Sequence, residues 1–357
     1  MRIGLVSKWF NRGQSYVVRQ IRSALGELGH ETWVMARPSR DRGPQPAFID
    51  RRDEWAGQPG VTEASTFEVP LAEYEAWVSD RALETILFDN CFQFAEIAAL
   101  RSAGVRTVGR FVWEMFAPTH AAAALEAFDD VYSLTRCEQD RYADLGIESP
   151  RVPWGVHPEL IGGLTDRDEE TVLFYFPGGL MGPRKPRREL VEAFGRCSDP
   201  DLRLLIKAQS ERHAGFLSRA VEADPRIEVL TEDLPTAEHR ALFAGCDVCL
   251  APTRWEGLGV FLYEAIGLGM PIITNDHPPM NEVVAEGVNG LLVPSLPDGL
   301  AESGIPAVLP DVAALATAIA RLADPALRMR LGEGAVKVRE ELSWERTVAG
   351  LERLVNG

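Results

Sequence analysis

Short apolar runs alternate with segments of helical periodicity along almost the whole chain, and this alternation restricts the fold to one class. RIGLVS (2–7) is followed by a polar loop, KWFNRGQ, then by SYVVRQIRSALGELGH, whose apolar residues recur at helical spacing and stop at Gly29. ETWVMA follows as a second strand. A strand–loop–helix–strand unit predicts parallel strands joined by crossover helices. The pattern continues with TILFDN, helix FAEIAALRSAG, strand RTVGRFV, a helix near 119–127, strand DVYSLT, helix CEQDRYADLG and strand RVPWGV. Residues 37–80 are rich in Pro, Gly and charge and predict long loops with short elements, and GVHPELIGGLTDRDEE (155–170) reads as a linker. A second alternation runs TVLFYF, RRELVEAFGRC, LRLLIKA, RHAGFLSRAVEAD, IEVLT, TAEHRALFAG, DVCLAP, a helix, PIITN, helix MNEVVAEG and GLLVP, and is helical from DVAALATAIARLA onward. The chain is therefore predicted to be α/β, with two Rossmann-like domains whose ligand lies at the carboxyl ends of mostly parallel strands.

Several function classes are disfavoured by composition. The 357 residues carry a net charge of −16, which argues against nucleic acid as a partner and against stable association with anionic membranes. RKPRR at 184–188 is the one dense basic stretch. No apolar run approaches the roughly 18 residues of a membrane span, and MRIGLVSKWF lacks the features of a signal peptide. A cytoplasmic location follows as the expectation. Five cysteines exclude a complete disulfide framework. Cys246 and Cys249 form a CxxC, yet no second pair or histidines complete a zinc site, and the run reads as a buried strand. Asp166 and Asp168 form a D-x-D in an acidic linker, away from any strand end, and read as coincidence.

TRWEGLGVFLYEAIGLGMP (253–271) sets two acids in an apolar run, Glu256 and Glu264, with Gly257 and Gly259 between them. It follows DVCLAP as a loop and a helix starting near Gly259. The amides of Gly257, Leu258 and Gly259 can point to one place, glycine lets a phosphate come close, and the helix dipole adds positive charge there. This predicts a pyrophosphate seat. Eight residues at helical rise span about 12 Å, and the loop shortens that. The spacing suits one glutamate at each end of a pyrophosphate, and suits a shared metal poorly. On spacing alone, Glu264 reads equally well as a solvated helix residue.

EGLGVFLYEAIGLGMPIIT resembles the E-x7-E block of retaining glycosyltransferases with the GT-B fold, family 4. The resemblance extends over most of the C-terminal half, through PRKPRRELVEAF, the run at 234–252, NEVVAEGVNGLLVP, LADPALRMRLGEGA and the SWERTV tail. The N-terminal half matches in outline only, through RIGLVS, LGHE and GVHPEL. The resemblance implies an acceptor-binding domain over 1–157, a nucleotide-sugar-binding domain over 158–340, and a last helix over 341–357 that packs back on the first domain, with the two sheets facing a central cleft. It implies that Glu256 contacts the donor sugar, that Glu264 holds the ribose, that Gly257, Leu258 and Gly259 seat the pyrophosphate, and that Lys185 neutralises the leaving diphosphate. Neither a metal nor a cofactor is then required, the nucleotide diphosphate sugar being a substrate.

Two departures from the family pattern bear on this. An arginine usually stands six residues before the lysine, where this chain has Gly179, leaving Arg184 or Lys207 to supply that charge. The N-terminal loop that usually carries a Gly-Gly pair and closes over the diphosphate has only Gly13. On the acceptor side, Glu114 in VGRFVWEMFAPTH is the candidate polar group, the alternative being a partner of Arg110 or of another surface group. His120 reads as the start of the next helix, and Asp89 and Asn90 end the preceding strand. With two arginines in its first helix and an acidic chain, the expected acceptor is a soluble small molecule or a protein. Competing readings are a nucleotide-sugar epimerase or hydrolase on the same fold, and a non-catalytic nucleotide-sugar-binding protein.

Overall fold

A computed structural model of the chain describes residues 1–40, 47–165, 171–209 and 214–357. These residues divide into two compact units, Met1–Trp154 with Trp344–Gly357, and Gly155–Ser343. Asp166 and Asp168 lie outside the described residues.

In the first unit the chain runs β1 (Arg2–Lys8), α1 (Gly13–Glu27), β2 (Glu31–Arg37), β3 (Val61–Glu63), α2 (Leu71–Arg81), β4 (Thr85–Asp89), α3 (Phe94–Ser102), β5 (Arg106–Arg110), α4 (Ala121–Ala127), β6 (Asp130–Val131) and α5 (Arg136–Asp144). The six strands form one parallel sheet in the order β3-β2-β1-β4-β5-β6. The strand order reverses between β1 and β4, which places the ligand crevice of such a sheet at their carboxyl ends. The strands read as continuous apolar runs because helices cover both faces; β4 is buried along its whole length.

The second unit repeats the plan with β7 (Val172–Gly179), α6 (Arg187–Gly195), β8 (Leu202–Ala208), α7 (Ala214–Ala223), β9 (Ile227–Leu230), α8 (Thr236–Ala244), β10 (Val248–Leu250), α9 (Val260–Leu268), β11 (Ile272–Asn275) and β12 (Gly290–Val293). Its parallel sheet has the order β12-β11-β10-β7-β8-β9, with the reversal between β7 and β10. Phe174 and Phe176 of β7 join Leu204, Ile206, Leu250 and Ile273 in one core on one face. By the strand's period of two, Tyr175 points to the opposite face. A hairpin, β13 (Ser295–Leu300) and β14 (Pro306–Pro310), precedes α10 (Val312–Arg321) and α11 (Pro325–Glu341). Asp311 and Asp324 cap these helices, accepting from Ala314 N and Ala326 N at 2.8 and 2.9 Å.

The last helix, α12 (Trp344–Asn356), belongs to the first unit. Its buried face is Trp344, Thr347, Leu351, Leu354 and Val355, and Val348 is only half-buried. Trp344 meets Trp154 edge-on at 5.3 Å, and Arg106 donates to the carbonyls of Leu354 and Val355 at 2.8 and 2.6 Å.

Three sequence expectations change. Residues 155–165 are not a free linker: they belong to the second unit, where Gly162 N donates to Gly267 O at 3.1 Å and Thr165 N to Ala244 O at 2.8 Å. MNEVVAEG is a short turn at Met280–Glu282 instead of a helix, because the Asn289 side chain takes the Ala285 N–H and the Val283 carbonyl that a helix would pair. RVPWGV makes isolated bridges, not a strand. Among the described residues no helix is long and apolar enough to cross a membrane.

Candidate active site

The reversal point of the second sheet gathers the residues singled out from sequence. Glu256 stands in the loop after β10, and Arg184 and Lys185 stand in the loop after β7, the neighbouring strand. The Lys185 ammonium donates to Glu256 Oε1 at 2.8 Å, and the Thr253 hydroxyl lies 3.1 Å from the same oxygen. Arg184 Nη1 is 3.3 Å from Glu256 Oε2. Lys185 and Glu256 are 4% and 3% exposed, whereas the Arg184 side chain keeps 39% of its surface in solvent. Burial alone would raise the Glu256 pKa, but Arg184 and Lys185 together hold it below the ordinary carboxylate value.

The two loops are fastened through their backbones. Arg254 N donates to Arg184 O at 2.8 Å, and Thr253 N to Asn275 Oδ1 at 2.9 Å, so β11 braces the same loop. The β13–β14 hairpin adds Val308 N to Arg254 O at 3.1 Å and an ion pair between Asp298 and Arg254. Gly179, where the resemblance puts an arginine, has φ +52°, a conformation that any side chain would strain.

Gly259 is the residue before α9 and has φ +73°, again a backbone glycine adopts freely. The amides of Gly257, Leu258 and Gly259 make no hydrogen bond among the described residues. They are unpaired donors at a helix N-terminus, next in sequence to a cation-bound carboxylate, and helix N-termini of this kind suit anions.

Glu264 lies in the second turn of α9 and is half-buried. Its carboxyl makes no hydrogen bond among the described residues. Burial pushes its pKa up to about 7, with Arg240 of α8 opposing and Glu159 adding to the rise. Tyr175 fixes α8 on this face of the sheet: its hydroxyl is 2.9 Å from His239 Nε2, and burial brings that histidine down to about 4, hence neutral. Glu264 is thus not a freely solvated helix residue; it is a half-buried acid whose charge burial disfavours.

Other candidates fall elsewhere. Lys207, at the end of β8, donates to the carbonyls of Ala208, at 2.8 Å, and Glu232, which fastens the loop after β9. Of the two residues proposed to supply the charge missing at Gly179, Arg184 is the one brought to Glu256. Cys246 and Cys249 are buried and in no disulfide.

In the first unit, Gly13 opens α1, and its neighbour Gln14 donates to Asp89 Oδ2 at 2.6 Å. Glu114 sits half-buried in a short turn, Trp113–Met115, after β5. Asn90, with φ +51°, ties that turn to the end of β4, its amide donating to Met115 Sδ at 3.1 Å. Arg110 pairs with Asp89 at 3.1 Å and with Glu138 at 3.7 Å, all three buried. Burial pushes Glu138 up to about 7. His120 ends a short turn and precedes α4, its Nδ1 accepting from Ala117 N at 3.0 Å. The Asp89–Arg110–Glu138 network and the Glu256 ion pairs were not foreseen. Their signals in sequence are acids and bases at strand ends, in the loops that follow and, for Glu138, in the first turn of α5, and these do not reveal pairing.

Residues 171–324 match the family described as glycosyl transferases, group 1. The D-inositol 3-phosphate glycosyltransferase of Corynebacterium glutamicum is 31% identical over 191 residues, 50% of this chain and 42% of that protein. The chain thus spans less than half of the curated relatives it matches. Two solved structures align over the whole chain: sucrose-phosphate synthase from Thermosynechococcus elongatus, with TM-score 0.76 and 19% identity over 98% of that chain, and Anabaena HepE in complex with UDP-glucose, with TM-score 0.76 and 14% identity over all of it. At these identities the likeness is one of fold: two α/β units with parallel six-stranded sheets, the GT-B architecture.

Proposed function

We propose that the protein is a retaining, metal-independent glycosyltransferase of family 4 that moves a sugar from a nucleotide diphosphate sugar to a soluble acceptor. The observation that carries this is the row of open amides at Gly257–Gly259, opening α9 beside Glu256, Lys185 and Arg184 at the reversal point of the second sheet. Support comes from the group 1 match over 171–324 and from a structural relative complexed with UDP-glucose.

The diphosphate lies on these amides and takes the charge of Lys185 and Arg184. Breaking the bond between sugar and phosphate leaves negative charge on the diphosphate, and preorganised cations and amides stabilise it without solvent having to reorganise. Glu256 stands at the sugar end, and Glu264 accepts from the ribose hydroxyls. The first unit receives the acceptor, with Glu114 as the polar group facing it. The acidic chain suits a small molecule or protein as acceptor. Incubation with UDP-, GDP-, ADP- and TDP-sugars, followed by proton NMR of the released or transferred sugar, tests this. Product that keeps the donor's anomeric configuration is expected; an inverted anomer, or no turnover of any donor, overturns the reaction.

A further inference from the structure

Lys185 is a buried ammonium between two rings, its nitrogen 4.7 Å from the Phe261 ring centre and 5.8 Å from that of Phe176. Burial pushes its pKa down, and Glu256 pulls it back up. Among the described residues, the other titratable groups facing it are Arg184 and Cys249. Arg184, beside it in the same loop, repels it. The Cys249 thiol, from β10, is pushed up by burial and stays neutral. Among the described residues, Glu256 is therefore the carboxylate on which this charge depends. Arg184 differs: a half-exposed guanidinium keeps its proton with or without a carboxylate.

We propose that Glu256 is a positioning residue that acts through Lys185, keeping the buried amine an ammonium so that the seat beside Gly257–Gly259 takes a diphosphate. It rests on the donor-binding function proposed above and adds to Glu256 a task separate from any contact with the sugar. Without its carboxylate the lysine sits among aromatic rings beside a second cation, and gives up its proton as pH rises. A neutral amine leaves the diphosphate one cation short.

The test uses free UDP, which has no sugar for Glu256 to touch. Its affinity is measured calorimetrically from pH 6 to 9 for the wild type and E256Q, and the ratio of the two removes the titration of UDP itself. A ratio within about threefold at pH 6 that widens to tenfold or more at pH 9 is expected, about 1.4 kcal/mol per tenfold change. The double variant K185R/E256Q, whose guanidinium needs no carboxylate to stay charged, should show a ratio independent of pH, and it keeps the test open if E256Q alone does not fold. NMR of the Lys185 side-chain nitrogen in E256Q should show deprotonation within this range. A pH-independent ratio for E256Q, the same widening in the double variant, or a Lys185 still charged at pH 9 overturns the proposal alone. Failure of the wild type to bind UDP, GDP, ADP or TDP overturns the donor-binding function, and this proposal with it.

Discussion

Replacing Glu264 by glutamine should stabilise the protein in alkaline solution while weakening its ligand site. The folded carboxyl titrates near 7 because burial disfavours its charge, against 4.5 for an ordinary glutamate. A raised carboxyl pKa means that the native state holds a proton the unfolded chain has already released. Stability from this group is complete below 4.5 and falls as pH rises through about 7. The gap between 4.5 and about 7 corresponds to roughly 3 kcal/mol, and about 2 kcal/mol after allowing for solvent reaching a half-buried side chain. Glutamine has no proton to lose, so E264Q should match the wild type at pH 4.5 and exceed it by about 2 kcal/mol at pH 8.5. For a domain of 150–250 residues that is about 4–8 °C in Tm. Thermal and urea unfolding of both proteins at the two pH values measures it. A difference that does not grow with pH, or an E264Q less stable than the wild type at pH 8.5, would refute the reasoning that Glu264 is a desolvated acid without donors.

E256Q, assayed at pH 6.5 where Lys185 keeps its charge, should lose more in kcat than it gains in KM for donor. In the proposed reaction Glu256 stands where positive charge develops on the sugar ring, so its interactions strengthen in the transition state; a change confined to KM would contradict this. Turnover should survive excess EDTA if, as proposed, Lys185, Arg184 and the Gly257–Gly259 amides stabilise the leaving group; a strict requirement for added Mg²⁺ or Mn²⁺ would sink that account. Deleting residues 344–357 removes Trp344, Leu351 and Leu354 from the first unit's core, each side chain contributing about 1.5–3 kcal/mol. Amide exchange in β4 and β5 should accelerate in the truncated protein, and unchanged protection there would show that α12 does not support this sheet.

The parallel α/β plan was legible because strands covered on both faces are continuous apolar runs and the helices between them are periodic. Helix signals were weaker where side chains compete for backbone groups, as Asn289 does over 283–289. The β13–β14 hairpin was missed because its run, SLPDGLAESGIPAVLP, carries Pro and Gly where an alternating strand pattern is sought. In the site, the glycine turn and both glutamates were visible as spacing along one segment. Sequence does not separate Arg184 from Lys207, because charge in a sequence has no direction. Only the geometry separates a guanidinium 3.3 Å from Glu256 from an ammonium donating to the Ala208 and Glu232 carbonyls. The solvated reading of Glu264 could not be dismissed from spacing, since less than half a turn of helix rotation decides whether an acid faces water or the Tyr175 side of the sheet.

The central claim, that the α9 turn seats a nucleotide diphosphate with Glu264 on its ribose, is tested most directly by titrating wild type and E264Q with UDP, GDP, ADP and TDP at pH 7.5. At least one of the four should bind the wild type. E264Q should then lose about 1.5–3 kcal/mol, a hydrogen bond to a charged group, which is about 10- to 150-fold in Kd. A wild type that binds none of them, or an E264Q that binds as tightly as the wild type, would contradict it.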